Sequence, residues 1–353
     1  MIRFLTAFYF SAYSILLFNP TKTYGQITSL ADLELSKIIA RQEKLFKNGK
    51  DWTEGALTRE AQEIVTWYEN FLLGNPKHLN GYILFGKFLS RTDQKEAALD
   101  LFLKADQINP NIAVVKQFIG NFLVEKGKPL EAFPFLLMTT RLSPAEPVYH
   151  FDLGNFIFLF LNELEGIEDH EKLLVLMHEC FKEAVALDPQ NFDYQLRFAQ
   201  SFFDFNHTMH ENALAAWEVL LNEFGPRTED EIDYIMISKA RTLLSMNKVG
   251  ESLKILKSIQ SKALENQKNS LLKKAKTIDQ DYRKKSSWHI RSSERFRFQD
   301  PYSFPIDPHL KKMKAVTLKL SQEKMLDHLK RDVIRAKIEE NGSLSLEFSS
   351  NAN

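Results

Sequence analysis

The sequence predicts an all-α fold: an α-solenoid of stacked helix-turn-helix units with a basic, partly irregular C-terminal extension. Three observations carry this expectation. Gly86, Gly120 and Gly154 are evenly spaced, as are Pro76, Pro110 and Pro144, and Phe88, Phe122 and Phe156; every interval is 34 residues, a period of helical repeats. Between these marks the apolar residues recur at helical spacing, with Tyr82, Phe85, Gly86 and Leu89 on one face. The chain also has only 13 glycines and 12 prolines in 353 residues, too few for collagen or a loop-rich β-protein.

Composition narrows the function classes. With 44% hydrophobic and 26% charged side chains, the chain can build one large core or two smaller ones and is not wholly disordered. The 46 basic and 46 acidic side chains cancel, which argues against nucleic-acid coating. The single cysteine, Cys180, excludes an internal disulfide and a multi-cysteine zinc site.

The elements follow in order. Residues 1–25 are expected to be a signal peptide or an N-terminal anchor. Arg3 is a positive start, Phe4 to Phe18 is apolar and uncharged, and Asn19-Pro20 breaks the run, which is short for a membrane span. Export to the periplasm or medium follows, with membrane anchoring as the alternative. Residues 26–265 are the expected repeat region. Leu30–Phe46 and Thr58–Leu73 form a first helical pair, with Gly74 as C-cap. The best units span 79–111, 113–146, 147–190 and 192–226, and Ala240, Leu243, Ser252 and Leu256 mark a degenerate further one.

In unit 79–111, Gly86 and Ala98 are small where two helices cross. Phe102 fills the space between neighbouring units, Ala105 continues that face, and Pro110 stops the helix. Gly120, Ala132 and Pro144 repeat the pattern, then Gly154, Phe181, Ala184 and Pro189. Lys116 and Thr139 depart from it where a large aromatic, as at Tyr82, and an alanine are usual.

This succession of large aromatic, small residue, alanine, aromatic, alanine and proline resembles the tetratricopeptide repeat (TPR) family. The resemblance covers about residues 28–265. It implies a curved solenoid with a concave groove that binds a peptide or protein segment, and no catalysis. By register it implies that groove-facing positions on the first helix of each unit meet the partner: Lys87 and Arg91, Gln117 and Asn121, Phe151, Asn155 and Phe158, and Arg197, Gln200 and Phe203. Some TPR proteins clamp a terminal carboxylate with a Lys–Asn–Lys–Arg set; Asn121 and Asn155 match one of its positions, but Ile83 stands where its first lysine belongs. The alternative function is an envelope assembly factor held by its N-terminal helix or by self-association.

Residues 266–353 are expected to form a basic region. A helix through Leu271, Leu272, Ala275 and Ile278 caps the last repeat, the stretch 286–310 is irregular, and Ser321 caps a final amphipathic helix carrying Met325, Leu326, Leu329, Val333, Ile334 and Ile338. Asn341-Gly342 ends that helix and the remaining residues are disordered.

Other motifs have plain readings. Arginines and aromatics interleave over 283–304, a pattern that could bind nucleic acid, anionic lipid or an acidic partner; the expectation is that the rings pack and the charges stay solvated. His150-Phe151-Asp152 matches two ligands of an iron triad but falls on a helix rather than a barrel strand. His207 and His210 lack further ligands, and Cys180 beside Phe181 is a packed thiol. Asn206-His207-Thr208 and Asn341-Gly342-Ser343 fit the glycosylation pattern. No cofactor, metal or nucleic-acid partner is expected.

Overall fold

The computed structural model describes residues 29–205, 209–225, 227–284, 304–322, 333–339 and 341–349. The chain divides into two compact units, one of residues 1–142 with 306–353, the other of residues 143–305. The segment expected to be a signal peptide or anchor, Asn206 to Thr208, most of the arginine–aromatic stretch and Met325, Leu326 and Leu329 lie outside the described residues.

The first unit holds three antiparallel pairs: α1 (Leu30–Asn48) with α2 (Glu54–Gly74), α3 (Leu79–Arg91) with α4 (Lys95–Ile108), and α5 (Ala113–Glu125) with α6 (Pro129–Leu142). The second holds α7 (Pro147–Leu164) with α8 (His170–Leu187), α9 (Phe192–Ser201) with α10 (His210–Asn222), α11 (Glu229–Ser245) with α12 (Val249–Ser258), and then α13 (Glu265–Lys284) packed on α11 and α12.

Local chemistry explains the pairs. A Cβ on Gly86 would lie 2.9 Å from the Phe102 ring, and one on Gly154 would lie 2.7 Å from Phe181. Those ring contacts are possible only because the small residue lets the helices approach. Ala98, Ala105, Ala132 and Ala184 are buried, whereas Pro110, Pro144 and Pro189 are exposed in the turns after the second helices. The tight turns inside three pairs share one solution. Asp93, Gly127 and Asn247 adopt positive φ of 63°, 68° and 58°. The next residue in each donates its amide five residues back: Gln94 to Leu89, Lys128 to Leu123 and Lys248 to Leu243, at 2.8 to 2.9 Å. This is the bonding of a left-handed helix terminus.

A second register rule concerns the position six residues after a turn proline. Tyr82 donates its hydroxyl to the Pro76 carbonyl at 3.2 Å, His150 donates Nε2 to Pro144 at 2.9 Å, and Gln195 donates Nε2 to Pro189 at 3.2 Å. Each side chain ties the first helix of a pair to the turn before it. Lys116 stands at the same register after Pro110 and takes another partner: its Nζ lies 2.6 Å from Asp106 Oδ1, with the two side chains only 2% and 7% exposed. Thr139 keeps its own helix satisfied, donating its hydroxyl to the Leu136 carbonyl at 2.6 Å.

The C-terminal extension differs from the expectation. Helix α14 (Asp307–Gln322) occupies part of the stretch read as irregular. Asp307-Pro308 starts a helix rather than a loop, because proline in the first turn gives up no needed donor. Ser321 lies inside the last turn of α14, donating to the Thr317 carbonyl at 2.9 Å, and is not a cap. Residues 333–338, read as the end of a helix, form strand β1 (Val333–Ile338), antiparallel to β2 (Leu344–Ser349). The physical reason is a period of two: Ile334, Ala336, Leu344 and Leu346 are buried while Arg335, Lys337 and Glu347 are exposed. Asn341-Gly342 is the hairpin turn, with Gly342 at φ 78°.

These elements belong to the first unit. Helix α14 packs on α4 and α6, with His309 edge-on to Phe133 at 5.1 Å. The hairpin packs on α2, where Thr58 Oγ1 accepts from the Ala336 amide at 2.8 Å and donates to its carbonyl at 3.2 Å. The Leu346 amide donates to the Thr92 carbonyl at 3.1 Å, and Gln94 Nε2 donates to the Leu346 carbonyl at 2.6 Å.

Candidate functional site

The ten residues expected along a groove fall in two places. Lys87 and Arg91 on α3, and Gln117 and Asn121 on α5, lie in the first unit. Burial pushes the Lys87 ammonium down to about 8. The Arg91 guanidinium lies 3.6 Å over the Phe46 ring of α1, and burial lowers its pKa. Gln117 is half-buried, and Asn121 carries a buried Oδ1 with no hydrogen-bond donor among the described residues.

The other six converge in the second unit. Arg197 of α9 is the centre. Its Nε donates to Asn155 Oδ1 of α7 at 3.0 Å and its Nη1 donates to Gln200 Oε1 at 2.8 Å. Gln200 Nε2 then donates to the Tyr234 hydroxyl of α11 at 2.9 Å. Three first helices, α7, α9 and α11, are thereby linked through side chains. The guanidinium is faced by two rings, Phe158 at 4.3 Å and Phe181 at 4.7 Å. Phe158 is 40% exposed. Phe151 lies 6.0 Å from Phe181 and 4.6 Å from Tyr194. Phe203 stacks on Trp217 at 5.6 Å, and Arg241 of α11 lies 4.0 Å over the Phe203 ring.

Asn155 is only 6% exposed. It positions Arg197 from within rather than offering its amide to solvent. Sequence reasoning missed Tyr234, Arg241 and Asp204. The first two sit on the next first helix, whose repeat is too degenerate to register by pattern.

The electrostatics are uneven. Burial lowers the Arg197 pKa, opposed by Asp204 and Tyr234. Burial pushes the Asp204 carboxyl up to about 6, against the pull of Arg197 and Arg241. Toward the start of α7 and α9 the sign reverses. Burial pushes the Tyr149 and Tyr194 hydroxyls up to about 12, and Glu146 and Asp152 add to the effect on both.

Beneath this face His178 of α8 is buried, its Nδ1 2.7 Å from Ser201 Oγ, whose hydroxyl is directed to the Phe198 carbonyl at 2.7 Å. Phe198, Phe202 and Phe205 surround the ring. Burial first, then Lys182, push His178 from 6.5 down to about 3. The unfolded chain therefore binds a proton on this residue at a higher pH than the folded one. The stabilisation is complete above about pH 6.5 and is lost as pH falls toward 3, at up to about 1.4 kcal/mol per pH unit. His178→Asn removes the titration. Between about pH 7 and pH 5 the wild type should lose roughly 2 kcal/mol more than the variant, a difference of about 4–8 °C in Tm. Equal losses on thermal melts would refute the assignment.

His150 is fully buried and its Nε2 is committed to the Pro144 carbonyl. Cys180 is buried. Among the described residues no group of three or more His, Cys, Asp and Glu is placed to hold a metal ion, and no described helix is long and apolar enough to cross a membrane.

Within each unit, antiparallel helix pairs packed through small-residue crossings form TPR-like helical repeats. No protein family and no curated protein sequence matches the chain. Among solved structures it is similar to YrrB, a TPR protein with an unusual peptide-binding site, at 17% identity over 61% of this chain and 94% of that one, with a TM-score of 0.44. It is similar to PilF of Pseudomonas aeruginosa at 14% identity over 69% and 99%, TM-score 0.41. The type IV pilus biogenesis factor PilW matches at 11% identity over 67% and 98%, TM-score 0.42. These superpositions are loose, and the class stands on the helix pairs of this chain.

Proposed function

We propose that this chain is a non-catalytic protein-interaction module that holds a segment of a partner protein on the first-helix face of its second unit. One observation carries the reading. Helices α7, α9 and α11, with the turn after α9, carry partly exposed rings and hydrogen-bonding heads: Phe151, Phe158, Arg197, Gln200, Tyr234 and, in the turn, Phe203. Aromatic faces and amide and guanidinium groups are the chemistry that takes up an extended peptide. Lys87, Arg91, Gln117 and Asn121 offer a second, smaller contact on the first unit. The reading includes export, supported by Arg3 and the apolar run from Phe4 to Phe18, with the partner then met outside the cytoplasm.

The test is site-specific photocrosslinking in native extract. A crosslinking amino acid at Phe158 should capture a discrete partner. The same group at Lys182, exposed on α8, should not. Equal capture from both positions, or capture from Lys182 alone, would move the binding face elsewhere.

A further inference from the structure

Among the described residues no helical pair precedes α1 and α2, so the far side of this pair has no preceding pair to stack on it. Asp32 and Phe46 of α1 face α3, the carboxylate 3.4 Å from His78 and the ring 5.8 Å from Phe88. Leu30, Glu34, Lys37 and Arg41 recur every three or four residues and form a stripe on the opposite face of α1. Between α1 and α2 this stripe borders a groove of about 280 Å³, lined by Glu34, Lys37, Ile38, Trp67, Asn70 and Phe71. Large apolar groups are left in water here: Leu30 is 74% exposed and Trp67 41%. Arg41 lies 4.6 Å over the Trp67 ring and is already neutralised by ion pairs to Glu60 and Glu63. Glu34 and Lys37 are exposed, and their side chains have no ion pair or hydrogen bond among the described residues.

This face is complementary to itself. Glu34 and Lys37 are opposite charges one turn apart on one helix. An antiparallel approach of two α1 helices, with a two-fold axis midway between these residues, sets Glu34 of each copy against Lys37 of the other. The same axis sets Leu30 of each copy level with Arg41 of the other, where the Trp67 ring lies. A closed two-fold contact requires this reciprocity, because each surface meets its own copy. Covering the open side of a helical pair with further helices is also how the pairs inside the unit are buried, α2 against α3 and α4 against α5. We propose that the α1–α2 face of the first unit docks on the same face of a second copy of this chain, as a two-fold dimer joined by two Glu34–Lys37 ion pairs and by Leu30 packed on Trp67. The segment-binding reading rests on the second unit, and neither depends on the other.

The test is a charge exchange read by sedimentation velocity over a concentration series of the full chain. Wild-type protein should show a monomer–dimer equilibrium. Glu34→Lys and Lys37→Glu each set like charges opposite one another twice, and each should weaken the dimer on the order of tenfold or more. An equimolar mixture of the two variants should dimerise again, because the lysines of one chain then meet the glutamates of the other. Leu30→Asn should weaken the dimer through the apolar contact alone. All three positions are exposed, so the variants keep the fold, checked by helicity. A wild type that stays monomeric at every concentration would overturn the inference. So would single variants that dimerise as the wild type does, a mixture no better than its separate components, or a dimer indifferent to Leu30→Asn.

Discussion

Replacing Asp106 with alanine should cost about 3–5 kcal/mol, measured by denaturant unfolding. The reason is the partner left behind. Lys116 is 2% exposed and its Nζ lies 2.6 Å from Asp106 Oδ1, with the Phe135 ring 5.9 Å away. Burial pushes the Asp106 carboxyl up, and the hydrogen bond and charge of Lys116 pull it back. Two buried charges sustain one another, and removing either leaves a desolvated ion. The pair itself need not be a net gain over apolar packing. Combining Lys116→Tyr with Asp106→Ala should therefore recover most of the loss. A tyrosine there also stands six residues after Pro110, the register from which Tyr82 reaches Pro76. A cost below about 1 kcal/mol for the single variant would be that of a solvated surface pair. A double variant no better than the single would show that the site cannot take the ring.

Truncation after Lys284 should destabilise the first unit while leaving the second folded. It removes α14 and the hairpin, and with them Met313, Val316, Leu320, Ile334, Leu344 and Leu346 from buried positions. It also leaves Gln94 and the Thr92 carbonyl without their contacts to Leu346. Burial of such side chains is worth about 1.5–3 kcal/mol each before chain entropy is subtracted. A net loss of several kcal/mol, on the order of 10 °C in Tm, is expected. Hydrogen exchange should locate it, with α2, α4 and α6 losing protection and α8 and α10 keeping theirs. Leu346→Ala in the full chain should reproduce part of the effect, about 2–5 kcal/mol. Unchanged protection in α2 and α4 would mean that the C-terminal elements merely rest on the unit.

The candidate site was only half legible. Repeat register puts Phe151, Phe158, Arg197 and Gln200 on first helices, because a helix places residues three or four apart on one face, whereas Phe203 lies in the turn after α9. Asn155 has the same register but sits inward, since Arg197 reaches across from the next first helix to take its oxygen. Arg241 and Tyr234 lie on the degenerate unit marked by Ala240 and Leu243, to which the expected groove register does not extend. The hairpin did leave a trace in Asn341-Gly342 flanked by alternating apolar residues. The same residues also fit an amphipathic helix, and short apolar runs do not decide between the two.

The helical repeats are legible in the chain alone. Their causes are local: glycine and alanine at crossings, Phe102 and Phe181 facing Gly86 and Gly154, Leu136 facing Gly120, and proline in the turns after α2, α4, α6 and α8. These act over the 34-residue separations visible in the chain. Only the tertiary structure decided that α14 and the hairpin complete the first unit, and that Lys116 pairs with Asp106. Packing across helices likewise settles that Arg197 gathers Asn155 and Phe158. Each of these joins residues whose spacing no helical or repeat period specifies. Thr58 and Ala336 are the extreme case, bonded across 278 positions. Such contacts form because buried polar groups and apolar faces must find partners in space, and the chain carries no periodic mark of where those partners lie.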